Sequence, residues 1–378
     1  MKIGTPRPFT IDISQSQIDD LNTRLALTRW PEKETVEDWD QGMPLAYARE
    51  LAAYWADGYD WRRCEAALNA HPNFLVEIDG LDIHFLHIRS TNPDARPLIL
   101  THGWPGSVLE FLDVIEPLSA DYHLVIPALP GYGFSGKPTK PGWSVEKIAG
   151  AWDTLMRGLG YSRYFAQGGD WGAAVTCEIG AQNLGACAGI HINMVVGRPD
   201  PAQMNDLTDA EKHYMARFKW YQDKDTGYSI QHATRPQTLG YGLADSPVGQ
   251  MAWIAEKFHG WTDCGHDGAG RGGHPENALT KDQMLDTVML YWLTKSAASS
   301  ARLYWHSFRS FADGQIHIPT GCSLFPMELM RLSRRWAEAR YTNIVYWNEL
   351  DKGGHFAAFE QPELFVGEVR AAFAAMEL

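Results

Sequence analysis

The stretch "FAQGGDWGAAV", residues 165–175, has the glycine spacing of a G-x-S-x-G nucleophile elbow, with Asp170 standing where such a turn carries serine. An elbow ends a strand, turns sharply and begins a helix at once, so its central side chain projects above the sheet. Gly168 and Gly172 supply the room for that turn. A helix over "WGAAVTCEIGAQ" then points its N-terminus at the corner, where free N–H groups and the macrodipole favour negative charge, so Asp170 is expected to be ionised. Aspartate is also a favoured helix N-cap, which gives the position a purely structural use as well.

A serine attacking saturated carbon would leave an ether with no easy exit. A carboxylate displacing a leaving group from such a carbon becomes an alkyl ester, whose carbonyl a base-activated water can attack. Asp170 therefore points to alkyl transfer followed by hydrolysis. The ester needs an oxyanion hole, built from the N–H after the nucleophile and one from the loop after an earlier strand. These are Trp171 and, in the loop "THGWPGS", Trp104. His102 in that loop ends a strand before a tight turn and reads as a supporting residue. The base should lie after the final strand, and "DKGGHFAAFEQPE" offers His355, with two glycines to bend the loop. A carboxylate must hold the other ring nitrogen. Glu328 in "SLFPMELMR", just beyond the penultimate strand, is the first choice, and Asp351, only four residues before His355, is the second.

These residues need a scaffold. The chain opens with an amphipathic helix, "SQSQIDDLNTRLALTRWP", with Ile18, Leu21 and Leu25 on one stripe and Pro31 as its stop. A second helical stretch, "LAYARELAAYWADGYDWRRCEAALNA", follows. Near Phe74 the pattern changes to strands at "FLVEI", "DIHFLHI", "PLILTHG", "YHLVIPAL", "YFAQGG" and "GIHINMVV", with a helix over "SVEKIAGAWDTLMRGLG". Such alternation predicts a mainly parallel sheet of the α/β class. From about Gly197 to Asp313 the chain reads as helical, a cap inserted in the core, before strands return at "IHIPTGCSLFP" and "TNIVYWNEL" and a helix closes the chain. The expected division is 1–73 as an N-terminal meander, 74–196 and 314–378 as the two parts of the core, and 197–313 as the cap.

Composition bounds the partners. Over 378 residues the formal charge is −13, which disfavours nucleic acid and anionic membranes and leaves neutral small molecules as easier ligands. Five scattered cysteines without a C-x-x-C pair argue against a disulfide framework or zinc ribbon and fit a reducing cytoplasm. The first residues contain no apolar signal region, so a soluble, unprocessed protein is expected. "FHGWTDCGHDGAGRGGHPE" gathers three histidines, a cysteine and two aspartates, but the spacing of Cys264, His266 and His274 matches no zinc pattern. His84 and His87 fall on opposite faces of one strand and read as structural, and "GYGFSG" lacks the ending of a phosphate loop. Neither a metal nor a cofactor is expected. Nothing in the pattern fixes the oligomeric state, and self-association is left open.

Together "GGDWGA", "HGWPGS", "FPMEL" and "GGHFAAFEQPELF" make the chain resemble the microsomal-type epoxide hydrolases of the α/β-hydrolase fold. The resemblance covers most of the chain, with "RPFTIDISQSQIDDLNTRLALTRWP" similar to that family's N-terminal meander and "GYSIQHATRPQTLGYGLADSPVGQMAWIAEKF" to its cap. Membrane-anchored members carry an N-terminal hydrophobic span that these residues lack. The resemblance implies that two cap tyrosines hold and protonate the epoxide oxygen; by motif these are Tyr228 in "TGYSIQHATRP" and Tyr304 in "SSARLYWHSF". The implied reaction converts a small apolar epoxide and water into a vicinal diol through an Asp170 ester. D-W-G also occurs in haloalkane dehalogenases, where Trp104 or Trp171 would hold a halide. A catalytically silent relative serving as a binding protein is the reading from another class.

Overall fold

The computed structural model describes residues 1–308 and 314–376. Residues 309–313, where the expected cap ends, and the last two residues of the closing segment lie outside the described residues. Among the described residues nine strands form one sheet: β1 (Arg7–Pro8), β2 (Asn73–Ile78), β3 (Leu81–Ile88), β4 (Arg96–Thr101), β5 (Tyr122–Pro127), β6 (Tyr164–Gly168), β7 (Cys187–Ile192), β8 (Thr320–Leu324) and β9 (Ile344–Glu349). Their spatial order is β1-β2-β3-β5-β4-β6-β7-β8-β9. The first three neighbours pair antiparallel, and every pair from β5 onward is parallel.

Local chemistry explains the joints. Asp79 and Gly80, both with positive φ (53° and 82°), form the two-residue turn between β2 and β3, and Asp-Gly suits that mirror-image turn. The single helical stretch expected over residues 45–70 is two helices, Leu45–Asp57 and Trp61–Asn69. The break follows from Gly58, which caps the first, and from Asp60, whose side chain accepts the Arg62 N–H and starts the second. β1 lies ahead of both helices and has no hydrophobic alternation to announce it.

The helix Trp171–Gln182 is buried from Trp171 through Gly180, wedged between the sheet and the helix Val145–Gly158. Among the described residues six α-helices run between β7 and β8, from Asp209–Trp220 to Ala297–Ser307, over the carboxyl ends of the parallel strands, where Tyr228 and Tyr304 meet Trp104 after β4 and Tyr304 meets Trp171 after β6. A five-residue π-helical turn, Tyr221–Asp225, interrupts them. The N-terminal helices tie down one cap helix, Lys281–Leu293: Tyr59 Oη donates to Asp286 at 2.7 Å, Arg63 pairs with Asp286 at 2.7 Å, and Tyr54 Oη donates to Asp282 at 2.9 Å. Among the described residues no helix is long and apolar enough to cross a membrane.

The helix after β6 approaches β4 so closely that a Cβ on Gly172 would lie 1.8 Å from the Thr101 carbonyl oxygen. Backbone cannot yield as a side chain does. Gly172→Ala is expected to destabilise the fold by at least about 2 kcal/mol; a denaturation midpoint equal to that of the parent would contradict this packing.

Candidate active site

Asp170 occupies the turn between β6 and the helix Trp171–Gln182 with φ 49° and ψ −128°. A non-glycine residue pays of order 1–3 kcal/mol for such a conformation, and the surrounding packing must hold it there. That packing is visible. Gly103 lies against the carboxylate, where a Cβ would come within 2.1 Å of Oδ1. The Trp104 N–H donates to Oδ1 at 2.7 Å, which fixes the rotation of the carboxyl group. His102 braces the same loop: one ring nitrogen bonds the Gly103 carbonyl oxygen at 2.9 Å and the other accepts the Leu129 N–H at 3.1 Å. Burial lowers the His102 pKa to about 4, so this ring is a neutral strut.

His355 reaches Asp170 from the loop after β9. Its Nε2 is 3.3 Å from Oδ2, outside good hydrogen-bond alignment, and its Nδ1 is 2.7 Å from Glu328 Oε1. The same Glu328 oxygen accepts the Leu329 N–H at 2.6 Å. With Nδ1–H donating to Glu328, the nitrogen facing Asp170 is the one free to take a proton when the ring is neutral. The backbone N–H of His355 donates to the Trp261 carbonyl oxygen at 2.9 Å, and the Trp261 ring stands edge-on to the imidazole. Asp351 is exposed, and it is Glu328 that meets the imidazole. Burial, the largest single influence on His355, disfavours charge; Glu328 and Asp170 together outweigh it and hold the pKa well above the ordinary histidine value.

On the other side of Asp170 lies a pocket of about 410 Å³. Tyr228 and Tyr304 line it with Asp170 and Trp171, beside apolar Met194 and Phe218. The two tyrosine rings stand edge to face, 5.8 Å apart. Tyr228 shares a 3.0 Å hydrogen bond with Tyr221 Oη, and its ring is clamped between the stacked Trp104 indole at 4.9 Å and the Lys257 ammonium at 4.7 Å. The Tyr304 hydroxyl is buried without an aligned hydrogen-bond partner, and its ring meets the Trp171 indole edge-on at 4.7 Å. Burial is the first cause that raises both phenol pKa values well above 10; the Asp170 charge comes next for Tyr304 and follows the neighbouring tyrosines for Tyr228, and both are neutral O–H donors.

The structure thus brings Asp170, His355, Glu328 and the Trp104 N–H into one contact chain, and sets Trp171, Tyr228 and Tyr304 around the same carboxylate. Sequence reasoning missed Tyr221, seven residues before Tyr228, and Lys257, whose 2.5 Å ion pair with Asp225 joins two cap helices. It also missed Glu110. Only the S-x-x-E capping box beginning at Ser107 signals it, and that signal concerns a helix start rather than chemistry.

A sheet of this order, with a sharp strand-turn-helix elbow after β6 and helices over the carboxyl ends of its strands, defines an α/β-hydrolase. The family description "alpha/beta hydrolase fold" matches residues 96–237, and "Epoxide hydrolase N terminus" matches residues 6–111. A Stigmatella aurantiaca protein called "Putative epoxide hydrolase" is 51% identical over 97% of this chain and 84% of its own length. Epoxide hydrolase 1 of Oryctolagus cuniculus is 32% identical over 96% of this chain and 87% of its own. Among solved structures, the Aspergillus niger epoxide hydrolase superposes with a TM-score of 0.89 at 34% identity, covering 98% of this chain and 97% of that one. The chain belongs to the epoxide hydrolase family.

The charge on Glu328 is one of the two that sustain the imidazolium. In Glu328→Gln the His355 titration midpoint, followed by imidazole ¹H–¹⁵N resonances, is expected to fall by about 1–3 units. A midpoint that stays in place would rule out this electrostatic coupling.

Proposed function

We propose that the protein hydrolyses small apolar epoxides to vicinal diols through a covalent Asp170 ester. The observation that carries this reading is that Asp170, alone among the described residues, is shared by the linings of two different spaces: the pocket with Tyr228 and Tyr304, and a small chamber with His355. Substrate and water can therefore meet the same carboxyl group from different sides.

In the first step an Asp170 oxygen bonds to a ring carbon as the ring C–O bond breaks. The released oxygen takes a proton from a tyrosine O–H, leaving a tyrosinate. Neutral phenols fit this task because an alkoxide is a far stronger base than a phenolate of ordinary pKa, about 10. A halide would leave without a proton, so the buried phenols favour an epoxide over a haloalkane. Removal of the Asp170 charge by alkylation also withdraws one of the two anions that sustain the His355 imidazolium; its pKa falls, the ring proton passes to solvent, and a neutral ring is available as base until the restored carboxylate draws a proton back from solvent.

In the second step His355 Nε2 takes a proton from water while the water oxygen bonds to Cγ of the ester. The N–H groups of Trp104 and Trp171 carry the charge of the tetrahedral intermediate. Collapse breaks the bond to the diol oxygen, which receives the proton from His355, and the proton released as Asp170 returns to a carboxylate restores the tyrosine. Glu328 keeps the ring oriented and stabilises its charged form. A neutral substrate suits the pocket walls, and no step calls for a metal or an organic cofactor.

Replacing His355 by Gln should permit ester formation but slow its cleavage by about 10²–10⁴-fold, so that intact-mass spectrometry shows the protein plus one substrate. Epoxide consumption without any adduct would remove His355 from this role. Replacing both Tyr228 and Tyr304 by Phe should slow epoxide opening by about 10²–10⁴-fold while folding is retained. Turnover at the parent rate would refute the tyrosine assignment.

A further inference from the structure

Asp170 also lines a second space, whose other lining residues differ from those of the tyrosine pocket: a chamber with about 20 Å³ open to the centre of a water-sized sphere. A site needs about 10–15 Å³ by that measure, and two to four polar partners, to hold one water. The walls supply such partners. Thr101 Oγ1, Gln167 Oε1 and His355 Nε2 all belong to buried residues lining the chamber, and none has an aligned hydrogen-bond partner.

Glu110 lines the chamber too. Its Oε1 accepts the Ser107 N–H at 3.0 Å and completes a capping box, which leaves Oε2 without that duty. Gly106 clears the way for this side chain, since a Cβ there would fall 1.4 Å from Oε1. Val108, Leu109 and Phe111 around it are buried, while Glu110, Gly169 and Asp170 keep some accessible surface, and all three face the chamber lining. Burial, reinforced by Asp170 and opposed by His355, pushes the Glu110 carboxyl up to about 8. A capping box works equally well at a surface, where its carboxylate suffers no such desolvation. Its placement beside the nucleophile calls for a second use.

We propose that this chamber seats the hydrolytic water and that Glu110 is the residue that positions it. One water O–H points to His355 Nε2, the other to Glu110 Oε2, and the oxygen is left facing Cγ of the Asp170 ester. As the oxygen bonds to Cγ the first proton passes to Nε2; the second remains on the new hydroxyl, steadied by Glu110, until the diol leaves and the carboxylate is regenerated. The inference rests on the covalent reading above. It assigns Glu110 to ester cleavage alone, because the epoxide lies in the other space.

The ionised form of Glu110 is the better acceptor. Facing it in the chamber are Asp170 on the elbow, His355 on the loop after β9 and His102 on its own loop. On the helices packed against it, Asp113 is exposed and Glu360 accepts from the Asp263 and Phe356 N–H groups. Glu110→Gln keeps an oxygen for Ser107 but turns an N–H donor toward the water. Rapid-quench mass spectrometry of single turnovers with styrene oxide separates adduct formation from adduct decay. At about pH 9, where the carboxyl is ionised, E110Q is expected to slow decay by at least about tenfold and formation by less than about twofold. The gap should narrow towards about pH 6, where a protonated Glu110 resembles Gln. Equal slowing of both steps at every pH would reduce Glu110 to a scaffold residue, and unchanged decay would overturn the proposal outright. Should E110Q fail to fold, Glu110→Asp, which retains the charge but withdraws it from the chamber, should give the same separation of steps, and an equal effect on both would again overturn it. The His355→Gln protein serves as reference: an adduct there, with parent-like decay in E110Q, rejects only the role of Glu110, whereas no adduct in either rejects the covalent reading itself.

Discussion

The structure is organised around one negative charge that must be held still between an apolar space and a polar one. Asp170 is strained in its backbone, fixed in rotation by the Trp104 N–H and approached by an imidazole whose own carboxylate partner is buried. Each feature answers a particular cost. An anion partly removed from water needs hydrogen bonds and an opposite charge, and the Trp104 N–H and the His355 ring supply them within 2.7 and 3.3 Å. The strain at the turn is stored in a helix and sheet packed too tightly for any side chain at position 172.

The same charge couples the two halves of the site. While it is present, it helps to keep the pocket tyrosines protonated and the imidazole charged. In the proposed reaction, esterification of Asp170 would relax both influences together. The cap contributes geometry to this arrangement: Tyr228 is wedged between Trp104 of the core loop and Lys257 of a cap helix, so the seam between cap and core runs through a pocket residue. The N-terminal segment, through Tyr59 and Arg63, is tied to Asp286 on the helix Lys281–Leu293.

Much of this could be read from sequence because its causes are local. The elbow is written in Gly168, Asp170 and Gly172, the hairpin in Asp79-Gly80, and the parallel sheet in the alternation of strand and helix patterns. Glu328 was reachable because chain order places an acid after the penultimate strand, and the structure has it, rather than Asp351, on the imidazole. Tyr228 and Tyr304 came from resemblance, since fifteen tyrosines offer no pattern that selects two. What escaped was long-range or doubly used. The break at Gly58 to Asp60 is a local capping event inside an unbroken helical periodicity, and periodicity alone hides it. Lys257 and Asp225 are 32 residues apart and meet only when the cap folds. Glu110 announces one role, the capping box, and the chamber it lines beside Asp170 and His355 becomes visible only in three dimensions.

The most direct test of the central claim, that Asp170 becomes esterified and is then released by water attacking its own carbonyl carbon, is a single turnover in ¹⁸O-labelled water. The account predicts that the first diol carries an unlabelled oxygen from the enzyme while the label enters the Asp170 carboxylate, readable in the peptide that contains it. Label appearing directly in that first diol, with Asp170 unlabelled, would contradict it.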